Sequence, residues 1–337
     1  MITIDPIKLT RTLIDIPSIT GEEAEVGRFL ADYLEKLKFD VEVQNVSAGR
    51  DNIIARTKAD PEIVFSTHID TVPPFIASSE DKEYIFGRGA CDTKGIIASM
   101  ISAAVRLRDE GEERIGFLFV VDEEMNSTGA HRANEHHLSE KCKFLINGEP
   151  TESRLAIGSK GSLRLRIKTA GRAAHSAYPE LGESAIDKII EVLQCIHRIE
   201  WPSDPFFGAT TCNIGTISGG VRSNVIPSSA SADLQIRLAT DVQPIKELFE
   251  TTVGSLAKIE YLTCVLPIRM LAVDGMTSDV VRFTTDVPNL TNWGEPLLFG
   301  PGSILVAHTD EERIAKRELT ESIDIFIKLA RKLLGTN

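Results

Sequence analysis

The sequence predicts an α/β fold, in which a mixed, mostly parallel β-sheet lies between helices and an α+β domain is inserted into the chain. Two observations lead to this prediction. Before about residue 158, short apolar strands alternate with amphipathic helices, and residues 115–121 are apolar at nearly every position, as in parallel strands covered on both faces. After about residue 158, apolar and basic residues alternate along 163–168, which is the pattern of a sheet with one face in water.

The elements of the first domain follow from local patterns. Asp5 before Pro6 predicts the start of a helix, and residues 20–23 have the pattern of a capping box that opens a second helix. A glycine-rich loop at 87–95 leads into a third helix, and an amphipathic helix covers about 323–334. The predicted strands lie at residues 41–43, 53–55, 63–67, 115–121 and 144–146.

The insert is predicted at residues 159–268, between the two parts of the first domain, 1–158 and 269–337. It contains two strand–helix–strand passages, which predict a four-stranded sheet with two helices. The predicted strands lie near residues 163–167, 211–217, 230–238 and 261, and the helices at about 186–196 and from about 244.

The amino-acid composition bears on the classes of binding partner and on the location of the protein. Acidic residues outnumber basic ones by 49 to 37, the formal net charge is −12, and no long basic tract occurs, which disfavours nucleic acid and anionic membranes. The five cysteines are scattered without a Cys-x-x-Cys pair, so we expect no disulfide framework, no cysteine zinc site and a reducing, cytoplasmic location. No signal peptide and no run of about 18 apolar residues is found, so no membrane span is expected.

The strand predicted at 63–67 ends in the pair His68 and Asp70. Because side chains alternate along a strand, these two would point the same way, and Pro73 prevents the strand from continuing. A metal-binding imidazole is commonly oriented by a neighbouring carboxylate. Taken alone, however, the pair is about equally compatible with a buried histidine that is satisfied by its neighbour.

Further acidic residues and a histidine occupy comparable positions. Ligands bind beyond the carboxyl ends of the strands in mostly parallel sheets. Imidazoles and carboxylates without thiolates suit zinc, cobalt or manganese. Five ligands divide between two ions if one carboxylate is shared, and such a pair would activate a water and polarise a carbonyl oxygen, with a nearby base to take the proton. The candidate residues are His68, Asp70, Asp92, Glu123, Glu124, Glu149 and His308.

Five motifs, STHIDTVP, GRGACDTKG, VVDEE, NGEPT and GPGSILVAHTDEE, resemble in this order those of the dinuclear-zinc aminoacylase metallopeptidase family. That family includes acetylornithine deacetylase, succinyl-diaminopimelate desuccinylase and carboxypeptidase G-type enzymes. The resemblance covers residues from about 10 to about 330 and implies a zinc-exopeptidase-like fold. The ligands it implies are His68 and Glu149 for one zinc, Glu124 and His308 for the other, and Asp92 as the bridge between them.

The resemblance also extends, less strongly, to the insert, which would be a ferredoxin-like lid and dimerisation domain. In the first domain it makes Glu123 the general base and Asp70 the residue that orients His68. In the insert it implies that His175 donates to the oxyanion, often across a dimer interface, and that Arg237 binds the carboxylate of the substrate. Further substrate-binding residues implied are Asn213 and Gly300.

Several single residues allow other interpretations. His175 beside Ser176 could indicate a serine hydrolase, but no Gly-x-Ser-x-Gly motif supports one. Cys91 could be a nucleophile, although a small residue packed under the metal loop fits better, and Arg237 could be an ordinary exposed strand arginine. Met276 stands where the family has a glycine in its Gly-Gly-Thr-Ser-Asp turn, which leaves the fit of the substrate open.

We therefore expect a two-zinc hydrolase, with cobalt or manganese as alternative metals, that cleaves an N-acyl amino acid and forms a homodimer through the lid. Residues 299–302 before His308 most resemble acetylornithine deacetylase, which would place the enzyme in arginine biosynthesis. Succinyl-diaminopimelate desuccinylase, a dipeptidase or a carboxypeptidase are the alternatives, since nothing separates an acetyl from a succinyl pocket. A non-catalytic binding protein is disfavoured because it would need no base such as Glu123.

Overall fold

The computed structural model describes residues 4–336, which form two compact units. The first unit comprises the chain up to Ile157, Met270–Asp279 and the chain from Thr285 onwards. The second comprises Gly158–Arg269 and Val280–Thr284. Helices and a mixed sheet with a parallel centre make up the first unit, which confirms the predicted fold class.

The bounds of the regular elements are as follows. The α-helices found within residues 4–336 are α1 (Pro6–Ile14), α2 (Ala24–Lys36), α3 (Gly95–Asp109), α4 (Thr128–Ala133), α5 (Ala185–His197), α6 (Val242–Val253) and α7 (Lys316–Leu334). The strands in the same range are β1 (Asp40–Ser47), β2 (Arg50–Arg56), β3 (Ile63–His68), β4 (Ser79–Glu80), β5 (Tyr84–Phe86), β6 (Ile115–Val120), β7 (Phe144–Asn147), β8 (Leu155–Ser159), β9 (Gly161–Ala170), β10 (Ser203–Asp204), β11 (Gly208–Ala209), β12 (Thr211–Gly219), β13 (Ser229–Leu238), β14 (Lys258–Val265), β15 (Ile268–Arg269), β16 (Ser278–Val281), β17 (Glu295–Leu298) and β18 (Arg313–Ala315).

The main sheet of the first unit has the strand order β1-β2-β6-β3-β7-β17-β8. Its centre is parallel, because β3 pairs in parallel with both β6 and β7, and β17 pairs in parallel with β7. The flanking pairs β1–β2, β2–β6 and β17–β8 are antiparallel. The carboxyl ends of the four central strands therefore meet at one edge of the sheet.

Alternate residues of β3 face two different hydrophobic cores. Phe65 belongs to the larger core, together with Leu30 of α2 and Phe326 of α7. Val64 faces a smaller core on the opposite side of the sheet, which contains Trp293. Both faces of the central strands are therefore buried, which explains why their sequences are continuously apolar.

The start of α2 differs from the predicted capping box. The helix begins at Ala24, and Glu23 at its N-cap makes no side-chain capping hydrogen bond. The Thr20 hydroxyl donates instead to Asp70 at 2.9 Å, and the Glu23 carboxylate pairs with Arg50 at 2.6 Å. Because both carboxylates are buried, they need strong partners, and these tertiary contacts prevail over helix capping.

The second unit has a four-stranded antiparallel sheet with the order β12-β13-β9-β14. Leu163, Leu165 and Ile167 of β9 point into a core formed with α5 and α6. The residues between them, including Arg164, point to the other, open face of the sheet. Four strands and two helices in this order agree with the passages predicted for the insert, and β12 forms an edge of the sheet.

The structure also bears on membrane spans and cysteines. Among residues 4–336, no helix combines the length and the apolar character needed to cross a bilayer. All five cysteines are free. Burial raises the pKa of the Cys91 thiol well above its usual range, with the charges of Glu312 and Asp92 adding to the effect, so a thiolate nucleophile at this position is disfavoured.

Candidate metal centre

Three neighbouring parallel strands of the first unit end in candidate ligands. His68 is the last residue of β3, Glu123 and Glu124 follow the end of β6, and Glu149 follows the end of β7. Because β3 lies between β6 and β7, these side chains start from adjacent positions at one edge of the sheet. Asp92 reaches the same place from the loop before α3.

A continuous chain of short contacts joins four of the candidate ligands. Asp92 Oδ1 lies 3.1 Å from His68 Nε2, and Asp92 Oδ2 lies 3.1 Å from His308 Nε2. The same nitrogen of His308 lies 2.9 Å from Glu124 Oε1. Each oxygen of Asp92 therefore faces a different imidazole, which is the arrangement that a carboxylate needs in order to bridge two cations.

Burial and crowded charge shift the pKa values of this centre. Burial raises the pKa values of Glu123 and Glu149 well above their usual range, and neighbouring carboxylates raise them further, although His68 lowers both. Burial lowers the pKa of His68, but the carboxylates of Asp70 and Asp92 outweigh it and hold that pKa well above its usual value. The buried centre thus contains more carboxylates than imidazoles. Divalent cations would neutralise the resulting excess of negative charge.

Asp70 ties the ends of two ligand-bearing strands together. Its carboxylate accepts hydrogen bonds from the backbone N–H groups of Glu123 at 3.1 Å and Glu124 at 3.2 Å, and from the Thr20 hydroxyl. His68 Nδ1 lies 2.9 Å from the carbonyl oxygen of Asp70 and 3.6 Å from its carboxylate. Asp70 is therefore placed to orient the imidazole through its backbone and the adjacent glutamates through its side chain.

The donor set suits two divalent cations such as zinc. Imidazoles and carboxylates are present without a thiolate ligand, and His68, Asp92 and Glu124 offer ligand atoms that all lie within 4.8 Å of one another. Neighbouring ligand atoms around a tetrahedral zinc lie about 3.3 Å apart, given bonds of about 2 Å. The observed contacts of 2.9 to 3.1 Å between the ligand atoms are close to that spacing.

A second group of possible ligand atoms, from Glu42, His136 and His137, also lies in the first unit. Nδ1 of His136 accepts the N–H of Leu138 at 3.3 Å, so the neutral ring carries its proton on Nε2. That nitrogen lies 2.9 Å from Glu42 Oε1, although the angle is poor for a hydrogen bond. With Nδ1 accepting an N–H and Nε2 facing Glu42, we assign this group as a histidine–carboxylate pair.

One buried acid near the centre was missed in the sequence. Asp286 is 1% exposed, its carboxylate oxygens make no hydrogen bond of normal geometry, and burial raises its pKa to about 7 although Ser127 lowers it. Its charge acts on Glu123, which places it close to the centre. No local pattern marks Asp286, because its burial depends on the tertiary fold.

The candidate residues of the second unit lie on its sheet and in a loop. Arg237 pairs in register with Thr211, and Asn213 with Gln235, so Arg237 and Asn213 are close together on the open face. Arg237 forms no ion pair with a carboxylate among residues 4–336, and burial lowers its pKa. His175 is exposed in the loop after β9.

Gly300 lies against the backbone of a candidate ligand. Its N–H donates to Thr151 Oγ1 at 3.0 Å, and its carbonyl oxygen accepts the N–H of Thr151 at 3.2 Å. A Cβ atom at Gly300 would lie 2.5 Å from the carbonyl oxygen of Glu149, so no side chain fits there without moving that ligand. Met276 packs against the larger core of the first unit.

Comparisons with known proteins find similar sequences along most of the chain. Residues 157–259 match the family described as peptidase dimerisation domain, and residues 52–183 match peptidase family M28. A peptidase M20 domain-containing protein of Schizosaccharomyces pombe is 36% identical, over 94% of this chain and 82% of the relative. A probable carboxypeptidase of Uncinocarpus reesii is 35% identical, over 96% of this chain and 86% of the relative.

Solved structures share the fold along nearly the whole chain. A tripeptidase from Staphylococcus aureus superposes with a TM-score of 0.79 at 21% identity, covering 97% of this chain and 98% of its own. A dinuclear metal-binding peptidase of the M20 family from Bacillus subtilis superposes with a TM-score of 0.71 at 17% identity, covering 98% of both chains. At these identities the superpositions show the fold, while the relatives above show the family.

Proposed function

This chain belongs to the M20 family of metallopeptidases, and from that premise we propose a two-zinc hydrolase that cleaves the amide bond of an N-acyl amino acid. The observation that carries the proposal is Asp92, whose two oxygens each lie 3.1 Å from a different imidazole, those of His68 and His308. A carboxylate in this position can hold two cations close together and offset their repulsion. A short peptide belongs to the same substrate class, because its last residue is an acylated amino acid.

The ligands divide into two sets around the shared carboxylate. We assign His68 and Glu149 to one zinc and Glu124 and His308 to the other, with Asp92 common to both. When bound, the two ions would supply the Lewis acidity that polarises a carbonyl oxygen and lowers the pKa of a water. The proposal extends to cobalt or manganese, which accept the same nitrogen and oxygen donors.

Glu123 has the proton-transfer role in this proposal. It lies next to Glu124, whose carboxylate contacts His308, and we propose that the carboxylate of Glu123 itself is not a ligand and stays available. Its backbone is fixed by the hydrogen bond to Asp70, and burial raises its pKa well above the usual range. A base of raised pKa can take the proton of the attacking water and return it to the leaving amine.

His175 supplies a hydrogen-bond donor in the second unit. Its Nδ1 accepts the N–H of Ala177 at 3.2 Å, so the proton of the neutral ring is on Nε2. An Nε2–H that is free to donate can stabilise the negative charge that develops on the carbonyl oxygen. We propose that it acts across the twofold axis of a homodimer.

The free carboxylate of the substrate is assigned to Arg237, with Asn213 beside it on the open face of the second sheet. A half-buried guanidinium without a carboxylate partner favours binding of an anionic group. Among acyl amino acids, N-acetylornithine is the first to test, given the resemblance of residues 299–302. The second candidate activity is that of a carboxypeptidase, which the name of the Uncinocarpus reesii relative favours.

A substrate panel tests the proposal and the role of Arg237. With zinc, the enzyme is expected to hydrolyse at least one of N-acetylornithine, other N-acetyl amino acids, N-succinyl-diaminopimelate or dipeptides. Arg237→Met should raise KM for that substrate by roughly 10- to 100-fold, because a hydrogen bond between charged groups is lost. The C-terminally amidated analogue should be a poor substrate for both proteins. Initial rates measured by release of the amine give these values.

Arg164→Met provides a matched control, because Arg164 is an exposed arginine on the same face of the sheet. It should leave KM unchanged. No turnover of any compound in the panel would contradict the proposed activity. An unchanged KM for Arg237→Met, with turnover intact, would contradict only the assignment of the carboxylate-binding residue.

The edge of the second sheet supports the proposed homodimer. Ile217 of β12 is 62% exposed and Ile190 of the adjacent α5 is 48% exposed, although monomeric proteins usually protect such edges. The match of residues 157–259 to the peptidase dimerisation domain supports dimerisation through the second unit, which contains this edge. We therefore propose that two copies pair through β12 and α5.

Ile217→Lys is expected to convert the dimer to a monomer at micromolar concentration, because it places charge in an apolar, strand-edge contact. Light scattering coupled to size-exclusion chromatography measures the mass. Leu262→Lys serves as control, since Leu262 is 43% exposed on β14 at the other edge of the sheet. A wild-type protein that is monomeric, or an Ile217→Lys variant that remains dimeric, would rule out this interface.

A further inference from the structure

A buried ion pair joins loops of the first unit that carry candidate ligands. Arg88 and Glu312 are only 2% and 1% exposed, and Arg88 Nη1 lies 2.7 Å from Glu312 Oε2. Arg88 belongs to the glycine-rich loop before α3, while Glu312 follows the loop that contains His308. Burying two charges is costly unless other groups satisfy them, so the remaining contacts of this pair are informative.

The second oxygen of Glu312 holds the backbone at the proposed bridging ligand. Glu312 Oε1 accepts the N–H of Cys91 at 3.3 Å and the N–H of Asp92 at 3.2 Å. The carboxylate of Glu312 thus faces the guanidinium with one oxygen and the backbone of Asp92 with the other. Moving or removing Glu312 would free the peptide that sets the position of the Asp92 carboxylate.

The guanidinium of Arg88 holds two further loops. Its Nη1 also donates to the carbonyl oxygen of Thr309 at 3.1 Å, immediately after His308. Its Nε donates to the carbonyl oxygen of Pro74 at 3.3 Å, in the loop that follows β3. His308 itself has a φ of 63°, a left-handed conformation that is unusual for a residue with a side chain and that requires support from its surroundings.

We propose that Glu312 and Arg88 are positioning residues that set Asp92 and His308 for the zinc ion held by Asp92, Glu124 and His308. The inference rests on the ligand assignment of the proposed function. It predicts a larger effect on this ion than on the other, because both Asp92 and His308 depend on the Arg88–Glu312 pair, whereas the other ion shares only Asp92. Of the other ligands of that ion, His68 ends the central strand β3 with its Nδ1 2.9 Å from the carbonyl oxygen of Asp70, and Glu149 lies two residues after the end of β7.

Stepwise zinc binding to the metal-free protein tests this inference. Glu312→Gln should bind the second zinc roughly 10- to 100-fold more weakly than the wild type, the usual cost of losing a group that orients metal ligands. The first zinc, whose site shares only Asp92, should be weakened by a clearly smaller factor. Competition with a chromophoric chelator gives both constants, and mass spectrometry of the native protein counts the ions. Arg88→Lys, which keeps the charge but loses the planar set of donors, should show the same selective loss.

Glu112→Gln is the matched control. Glu112 also pairs with an arginine, Arg114, but at the amino end of β6, on the opposite edge of the sheet from the ligands. This variant should bind both ions as the wild type does. If Glu312→Gln does not fold, Arg88→Lys carries the test.

The outcomes of this experiment distinguish a failure of the positioning role of Glu312 and Arg88 from a failure of the proposed two-zinc function. A wild-type protein that binds fewer than two zinc ions would contradict the proposed function. A wild type with two ions and variants that bind both equally well would overturn the positioning role. Equal weakening of both ions in a folded variant would also overturn it, because a general structural defect would then suffice.

Discussion

Glu123→Gln is expected to lower kcat by roughly 10²- to 10⁴-fold, the range for removal of a general acid–base group, while both zinc ions stay bound. The amide has almost the same shape as the carboxylate but cannot take a proton from water. The backbone N–H of residue 123 would still donate to Asp70, so the neighbouring ligand Glu124 should keep its position. Kinetics on a substrate from the panel and zinc analysis of the same sample measure the two quantities.

Glu124→Gln is the instructive comparison, because it differs by one position along the chain. Glu124 Oε1 lies 2.9 Å from His308 Nε2, so its loss should reduce zinc content as well as activity. The two variants therefore distinguish the proposed general base, Glu123, from the proposed metal ligand, Glu124. If Glu123→Gln lost zinc while Glu124→Gln kept it, the two assignments would have to be exchanged.

The positions of the ligands at strand ends could be predicted from the sequence because they depend on local patterns. A run of apolar residues in β3 or β6 marks a strand buried on both faces, and the first polar residues after it mark the strand end. In a parallel sheet such ends coincide in space, so His68, Glu124 and Glu149 could be expected together. The alternation of apolar and basic residues in β9 is also a local pattern. It therefore predicted a sheet with one face in water.

The groups that support the ligands could not be predicted in this way. Arg50 pairs with Glu23 at 2.6 Å and with Asp122 at 2.8 Å, and Asp122 directly precedes Glu123. These partners lie far apart in the sequence, and each taken alone looks like an ordinary surface charge. Only the tertiary fold shows that Glu23 and Asp122 are buried and that Arg50 pairs with both.

The capping box shows how a local pattern can mislead. Residues 20–23 fit the pattern, yet Thr20 donates to Asp70 and Glu23 pairs with Arg50. A capping hydrogen bond contributes about 1 kcal/mol, whereas leaving a buried carboxylate without its partner costs several times more. The stronger requirement of the buried groups therefore decides the local structure near the metal centre.

Asp92→Asn is expected to leave at most one zinc bound and to reduce kcat/KM by more than roughly 10⁴-fold, beyond the upper range for loss of a general base. Asp92 is the residue whose two oxygens face two imidazoles, at 3.1 Å each. An asparagine offers one oxygen and one NH₂ group, and the NH₂ group cannot bind a cation. The variant keeps its backbone N–H, so the hydrogen bond to Glu312 and the fold of the loop should persist.

Zinc stoichiometry by elemental analysis and the rise in Tm on adding zinc measure this loss, because a ligand that binds the folded state stabilises it, and a tighter ligand stabilises it more at the same concentration. Asp15→Asn is the control: Asp15 accepts hydrogen bonds from Ser78 and has no contact with the ligands, so two ions should remain. Two zinc ions in Asp92→Asn would mean that the ions do not share a carboxylate. The contact chain from His68 through Asp92 to His308 would then have a purely structural role, and the two-zinc proposal would lose the observation on which it depends.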